Sequence, residues 1–209
     1  MGGFISFEGG EGAGKTTQLD LLEARFRAAH IPCVRTREPG GTAGAEAIRE
    51  LIVTGDATRW SAATETLLLM AARFDHVEKV IAPALEAGQW VLCDRWLDST
   101  LVYQGMSKKL GKAWIEQLHA LLFGNLMPDV TFYLDIDPEN GLKRTQSRHG
   151  QAETRFESMD LTFHSAVREG FKALASYCNR FVSLDATQEA AKLEQEISDY
   201  LNLNFNLSL

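Results

Sequence analysis

The sequence predicts an α/β fold, in which a parallel β-sheet carries helices on both faces. Segments with strand-like and helix-like patterns alternate along the chain, and two of the strand-like segments are continuous apolar runs. Such runs are typical of parallel strands that are buried on both faces, and repeated β–α units imply parallel pairing. At 209 residues, the chain is expected to form one domain, with or without a small lid. Ligands of such a sheet bind at the carboxyl ends of its strands.

The predicted strands are short, and proline or acidic residues mark the ends of several of them. The second follows Pro32, the third ends in an acidic residue, and the fourth follows Pro128. Because proline cannot donate a ladder hydrogen bond, it is expected just outside a strand rather than within it. In chain order, the predicted strands are 4–7, 34–37, 90–94, 130–135 and 180–184.

The predicted helices fill the intervals between these strands. Leu19, Leu22 and Phe26 give the first helix one apolar face. Gly88 ends the long third helix, and Pro138 takes the favoured first position of its own. No element is predicted for the tail, 202–209, because it has no clear periodicity. The helices are 17–29, 43–53, 61–87, 99–104, 112–123, one beginning at Pro138, 158–178 and 188–201.

A glycine-rich segment lies between the first predicted strand and the first predicted helix. It fits the phosphate-binding pattern G-x-x-x-x-G-K-[ST] and reads Gly9-Gly10-Glu11-Gly12-Ala13-Gly14-Lys15-Thr16. Glycines let successive backbone N–H groups turn towards phosphate oxygens, and the helix N-terminus adds partial positive charge. Lys15 is expected to reach the β- and γ-phosphates, and the Thr16 hydroxyl to bind Mg²⁺. The chain is therefore expected to bind a nucleotide.

The bulk composition narrows the classes of function. A net charge of −7 argues against a general nucleic-acid-binding surface, and no apolar run approaches the length of a membrane span. The N-terminus begins directly with a short strand, so no signal peptide is predicted. Cys33, Cys93 and Cys178 lack the spacing of metal ligands, and the first two lie in predicted strands. Reduced thiols in a cytoplasmic protein are expected.

Several separate segments, taken together, closely resemble the bacterial thymidylate kinases over nearly the whole chain. The most diagnostic segment is Thr-Arg-Glu-Pro-Gly-Gly-Thr, at 36–42. The other matching segments are Phe7-Glu8-Gly9, Asp94-Arg95, Ser99-Thr100, Tyr103-Gln104-Gly105, Leu134-Asp135 and Leu184-Asp185-Ala186. The resemblance implies a three-layer P-loop NTPase fold with a five-stranded parallel sheet and a small mobile lid at about 144–157. It also implies a homodimer that transfers a phosphoryl group from ATP to dTMP for dTTP synthesis.

The resemblance places the phosphoryl donor on the glycine-rich loop. ATP would contact Gly9, Gly10, Glu11, Gly12, Ala13, Gly14, Lys15, Thr16 and Thr17, with Arg144 near the adenine. Mg²⁺ would be bound by Thr16 and by Asp94, which ends an apolar strand. On the sequence alone, Asp94 also fits an N-cap of the next helix.

The resemblance places the acceptor, dTMP, among residues from separate segments: Glu11, Arg49, Leu69, Arg73, Arg95, Ser99 and Gln104. Arg95 would grip the phosphate, because a guanidinium fork matches phosphate oxygens two at a time. Glu11 would accept a hydrogen bond from the 3′-hydroxyl, and Gln104 would contact the thymine edge. Leu69 stands where the family usually has a phenylalanine that stacks on thymine.

Members of the family that the chain resembles carry an arginine either in this loop or in the lid. The loop here contains none, so the resemblance implies that the lid supplies the positive charge that stabilises the transition state. Arg148 and Arg155 are candidates for a catalytic role beside Lys15 and Arg95, and a solvated charged loop is the alternative. Two further departures from the family pattern are Trp96 after Asp94-Arg95 and Thr154 at the start of Thr-Arg-Phe-Glu.

Other functions are known for chains with a phosphate-binding loop of this kind, and two of them are alternatives here. Because of Leu69, a kinase for a different nucleoside monophosphate is the main alternative. A GTP-dependent switch is disfavoured, because the sequence contains no guanine-reading Asn-Lys-x-Asp motif.

Overall fold

The computed structural model describes residues 2–56, 58–146 and 154–209. In these residues, five parallel strands form one sheet in the order β2-β3-β1-β4-β5. The strands are β1 (Phe4–Glu8), β2 (Cys33–Arg37), β3 (Trp90–Asp94), β4 (Val130–Asp135) and β5 (Phe181–Asp185). The predicted parallel sheet is confirmed, and each strand begins and ends within one residue of its predicted bounds.

Helices occupy the intervals between the strands and both faces of the sheet. In chain order they are α1 (Lys15–Ala28), α2 (Ala43–Val53), α3 (Ala62–His76), α4 (Ala82–Glu86), α5 (Leu97–Thr100), α6 (Lys112–Phe123), α7 (Pro138–Gln146), α8 (Thr154–Glu157), α9 (Leu161–Tyr177) and α10 (Ala190–Phe205). Two π-helical segments continue α3 and α5, at Val77–Ile81 and Leu101–Ser107. None of the described helices is long and apolar enough to cross a membrane.

Two apolar clusters, one on each face of the sheet, form the core. Neighbouring residues of a strand point to opposite faces, so that Ile5 belongs to one cluster and Phe4 to the other. The first cluster packs the sheet against α1 and α10 through residues such as Leu22 and Ile197. The second packs it against α3, α5 and α9, where Phe171 is fully buried. The arrangement is the expected three-layer fold.

The register of the central strands creates the site. β1 pairs with β3 on one side and with β4 on the other, and Phe7 lies opposite both Asp94 and Phe132. The carboxyl ends of β1 and β3 therefore lie side by side. The glycine-rich loop leaves β1 at the level where Asp94 and Arg95 leave β3.

The helices differ from the prediction in several places. The predicted helix 99–104 is the end of α5 followed by a π-helical segment, and the predicted helix 158–178 begins at Leu161. The predicted helix 61–87 is divided by the π-helical segment Val77–Ile81, which comes directly before α4. Pro83 in α4 has no N–H to donate to the carbonyl four residues earlier, and a widened turn accommodates that loss. The tail, for which no element was predicted, continues α10 to Phe205, and the chain leaves the helix at Asn206 with φ 53°.

Cys33, Cys93 and Cys178 are free thiols in the described residues. Cys93 is buried in β3, and burial raises the pKa of its thiol well above the ordinary value. Such a thiol is unreactive and serves as a small apolar residue of the core.

Candidate active site

The glycine-rich loop bends around the N-terminus of α1. Gly14 precedes the helix with φ 91°, a conformation that favours glycine. A Cβ atom at Gly12 would lie 2.0 Å from the carbonyl oxygen of Gly141, so only glycine allows this approach to α7. Lys15 is buried, and its Nζ donates to the carbonyls of Gly9 and Gly10 at 3.1 and 3.0 Å. The lysine thus lies inside the loop, with carbonyl groups at the position expected for phosphate oxygens.

The oxygen atoms of Asp94 and Thr16 meet beside this loop. Thr16 Oγ1 is 3.5 Å from Asp94 Oδ2, while Asp94 Oδ1 is buried and has no hydrogen-bond partner among the described residues. One carboxylate and one hydroxyl suit Mg²⁺, which is usually held by one or two protein carboxylates together with phosphates and water. In the described chain no group of three or more acidic, histidine or cysteine side chains forms a metal site without help. The donor set therefore fits a cation that arrives with a nucleotide.

Arg95, which follows β3, contacts both the glycine-rich loop and α5. Its backbone has φ 69°, which is rare for a residue with a side chain. Nη1 donates to Gly9 O and to Ser99 Oγ, both at 3.1 Å, and Nη2 pairs with Glu11 at 2.9 Å. Its guanidinium also lies over the ring of Tyr103, 5.3 Å from the centroid. The unusual backbone turns this cation back across the end of β1.

Glu8 holds the turn that carries Arg95. Its Oε1 accepts from the backbone N–H groups of Trp96 and Ser99 at 2.7 and 3.2 Å, and its Oε2 accepts from Ser99 Oγ at 2.6 Å. Burial, reinforced by the charge of Asp98, raises the pKa of Glu8 to about 7. The sequence predicts no role for Glu8 beyond its place in the matching segment Phe7-Glu8-Gly9.

The site contains two cavities, a larger cleft and a smaller cavity, and Glu11 lines both. Burial would raise the pKa of its carboxyl group, but the positive charges of Arg95 and Lys15 outweigh burial and hold the pKa below its ordinary value. Its Oε1 also accepts from the Tyr103 hydroxyl at 3.2 Å. Four residues line both cavities: Glu11, Glu38, Arg49 and Arg95.

Most of the predicted site residues line one or both of these cavities; Gly9, Gly10, Thr17, Arg144 and Arg155 line neither. The larger cleft contains the loop from Glu11 to Thr16 and Asp94. The smaller cavity lies between α2, α3 and the segment that follows β3. All seven residues predicted to contact the acceptor line it: Glu11, Arg49, Leu69, Arg73, Arg95, Ser99 and Gln104. The structure brings these residues together from four separate stretches of the chain, while their individual roles stay predictions.

The two other arginines of the smaller cavity are held by the segment that follows β2. Arg73 is buried, and its Nε pairs with Glu38 at 2.6 Å while Nη2 donates to Thr100 Oγ1 at 3.1 Å. Arg49 Nη1 donates to the carbonyl of Pro39 at 2.5 Å. The predicted diagnostic segment therefore acts as a support for these two cations.

Two arginines of the predicted lid, Arg144 and Arg155, lie in the described residues, and each has partners of its own. Arg148 lies outside the described residues. Arg155 is buried against α2 and α3: Nη1 and Nε donate to the carbonyls of Ile52 and Asp56 at 2.9 and 3.1 Å, and the guanidinium pairs with Glu65. This arrangement gives the predicted catalytic role of Arg155 no support. Arg144 donates to the carbonyl of Ala186, after β5, at 3.0 Å.

Sequence reasoning missed aromatic residues of the smaller cavity. Trp96, Tyr103 and Phe156 line it, and the Phe156 ring meets the Tyr103 ring edge-on at 5.7 Å. Phe156 had a signal, since it follows Arg155 in the predicted lid. Phe74, one residue beyond Arg73, does not line this cavity; it is partly exposed and contacts Phe123.

The chain is similar to known thymidylate kinases along almost its full length. The family model described as "Thymidylate kinase" matches residues 7–197. The thymidylate kinase of Caulobacter vibrioides is 49% identical over 200 residues, which cover 95% of each chain. That of Ruegeria pomeroyi is 45% identical over 97% of this chain and 96% of the relative, and that of Magnetococcus marinus 44% over 98% and 100%. The chain therefore belongs to the thymidylate kinase family.

Proposed function

We propose that this protein transfers the γ-phosphoryl group of ATP to dTMP, giving ADP and dTDP. One observation carries the proposal: a phosphate-loop cleft adjoins a second cavity lined by all seven predicted acceptor residues. Glu11, Arg49 and Arg95 line both cavities, so donor and acceptor phosphates would meet beside two cations. Phosphoryl transfer depends chiefly on such positioning and charge neutralisation.

On the donor side, the loop amides and Lys15 bind the ATP phosphates. When ATP binds, Lys15 exchanges the carbonyls of Gly9 and Gly10 for phosphate oxygens. The negative charge of the phosphates compensates for the loss of water around the buried ammonium group. Thr16 and Asp94 are the residues that hold Mg²⁺, which when bound neutralises charge on the phosphates.

On the acceptor side, Arg95 grips the phosphate of dTMP, with Ser99 fixing its guanidinium. Arg49 and Arg73 add positive charge from the opposite wall of the cavity. The base lies between Leu69 and the aromatic ring of Phe156, with its polar edge at Gln104. Glu11 accepts a hydrogen bond from the 3′-hydroxyl.

The lid contributes on closure. With Arg155 paired to Glu65, Arg148 is the candidate for the γ-phosphate, and Arg144 lies towards the adenine. Closure excludes water, which limits wasteful hydrolysis of ATP. We further propose a cytoplasmic homodimer.

The test is an ADP-release assay with the purified protein, ATP–Mg²⁺ and a panel of nucleoside monophosphates. We expect dTMP to have the highest kcat/KM, dUMP to follow, and dCMP, dAMP and dGMP to be poor. A preference for a purine monophosphate would refute the thymidylate assignment and favour the alternative, a kinase for a different nucleoside monophosphate. ADP release that does not depend on any monophosphate would refute the kinase assignment itself.

A further inference from the structure

A buried carboxylate lies behind the base end of the smaller cavity. Glu65, on α3, is fully buried and is not among the residues that line the cavity. Its Oε1 accepts from Gln104 Nε2 at 2.6 Å and from Lys108 Nζ at 2.7 Å. It also pairs with Arg155, which α8 brings from the far side of the predicted lid. Glu65 therefore contacts the cavity residue Gln104, the cation of Lys108 and the lid residue Arg155.

This contact decides which way the Gln104 side chain faces. A carboxylate flanked by two cations accepts hydrogen bonds and cannot donate them, whereas a carboxamide carries one accepting and one donating end. The NH₂ group must therefore face Glu65, and the carbonyl oxygen must face away from it. Gln104 lines the cavity, so the carbonyl is the acceptor that it offers to a bound base.

We propose that Glu65 is a positioning residue for base selection, acting through Gln104. This rests on the proposed function. Thymine and uracil carry a hydrogen on ring N3, which the fixed carbonyl accepts. Cytosine has a lone pair on N3, which would face the carbonyl oxygen with no proton between them. Glu65 thus selects a pyrimidine that donates at N3 and rejects one that accepts there.

The same contact connects the lid to the base. Arg155 pairs with Glu65, and the adjacent Phe156 lines the cavity. A lid segment anchored on this carboxylate therefore stands beside the base pocket rather than beside the phosphates. This accounts for the position of Arg155, which sequence reasoning had placed on the γ-phosphate.

The test compares Glu65→Gln/Lys108→Met with the matched control Lys108→Met. The double variant removes one negative and one positive charge together, and its glutamine at 65 can donate, which frees the Gln104 amide to reverse. The control keeps the carboxylate and its bond to Gln104. kcat/KM is measured for dTMP, dUMP and dCMP, with the KM for ATP as a further readout.

We expect the control to retain the selectivity of the native protein. In the double variant, kcat/KM should fall about tenfold to a hundredfold for dTMP and dUMP alike, mainly through KM, because a reversed amide leaves N3–H without its acceptor. For dCMP it should stay constant or rise. The dTMP/dCMP ratio therefore falls, while the dTMP/dUMP ratio and the KM for ATP stay constant. A purely structural defect would lower all three monophosphates together.

A Gln104→Leu background supplies the second measurement. There, the two further substitutions should not change the dTMP/dCMP ratio, because Glu65 acts through Gln104. Should Glu65→Gln/Lys108→Met not fold, Glu65→Asp, which keeps the charge on a shorter side chain, must lower the ratio several-fold. An unchanged ratio in either variant overturns the inference while leaving dTMP kinase activity standing. A native protein that does not phosphorylate dTMP overturns the proposed function instead.

Discussion

Lys15 is a buried cation that the loop holds through its own carbonyl groups. Burial lowers the pKa of its amino group, so the folded protein without nucleotide gains little from this charge. We expect Lys15→Met to lower kcat/KM about a hundredfold or more, the usual effect of removing a donor aimed at developing negative charge. The melting temperature should be equal to or above that of the native protein. Steady-state kinetics and thermal unfolding test this, and near-normal turnover in a folded variant would contradict it.

Glu11 is predicted to accept a hydrogen bond from the 3′-hydroxyl of the acceptor. Without substrate, its carboxylate already accepts from Arg95 and Tyr103. Loss of the hydroxyl therefore does not leave the acid without partners, and the cost belongs near the low end of about 1–3 kcal/mol. We expect 3′-deoxy-dTMP to be about fivefold to tenfold worse than dTMP in kcat/KM. Equal kcat/KM values would exclude this role, and Glu11→Gln should narrow the difference.

Glu8 makes stability depend on pH. Its pKa rises from 4.5 in the unfolded chain to about 7 in the folded protein. A raised acid pKa contributes stability that is fully present below about pH 4.5 and is lost as pH rises through about 7. The shift corresponds to a loss on the order of 3 kcal/mol. Relative to Glu8→Gln, the native protein should therefore lose stability between pH 4.5 and 8, measured by urea unfolding. A constant difference between the two would contradict the shift.

At the scale of elements, α3 and α8 bring Leu69 and Phe156 to the smaller cavity from different parts of the chain. Leu69 lacks the ring that the family usually places on thymine, but Phe156 brings one into the same cavity. Aromatic contact adds about 0.5–1.5 kcal/mol beyond area burial. We expect Phe156→Leu to raise the KM for dTMP about twofold to tenfold, with little change in kcat.

Leu69→Phe is the matched change in the opposite direction. If the cavity accommodates a second ring, the KM for dTMP should fall by a similar factor. An unchanged KM in Phe156→Leu would show that α8 does not reach the base during turnover.

The elements also show what sequence reasoning can and cannot supply. Strands β3 and β4 were predicted with their observed bounds, because a continuous apolar run leaves little choice of position. The resemblance predicts the seven acceptor residues, and the sheet register explains why Glu11, after β1, meets Arg95, after β3. A role for Glu65 was not predicted, because the sequence pattern of α3 does not show which of its polar residues is buried. Without Glu65, the contact that holds Arg155 could not be predicted, because a buried carboxylate determines where a neighbouring arginine points.

At the scale of the whole molecule, α3 and α6 leave apolar side chains exposed. The two helices are in contact, and Phe74 of α3 meets Phe123 of α6 with ring centroids 5.9 Å apart. The exposed residues on these helices are Leu67, Phe74, Trp114, Leu121 and Leu122. Large exposed apolar side chains on two packed helices are typical of protein–protein interfaces. It is where the proposed homodimer would form.

Leu121→Glu tests this surface, because Leu121 is 82% exposed and its replacement costs the isolated chain little. In a dimer it would bury an unpaired charge, which costs several kcal/mol and is repeated in both copies by two-fold symmetry. The control is Leu203→Glu, on α10, which replaces a leucine that is 83% exposed outside this surface. We expect light scattering during size-exclusion chromatography to give twice the chain mass of 23.2 kDa for the native protein and for Leu203→Glu. Leu121→Glu should give the single-chain mass. A native monomer, or equal dissociation of both variants, would remove α3 and α6 as the interface.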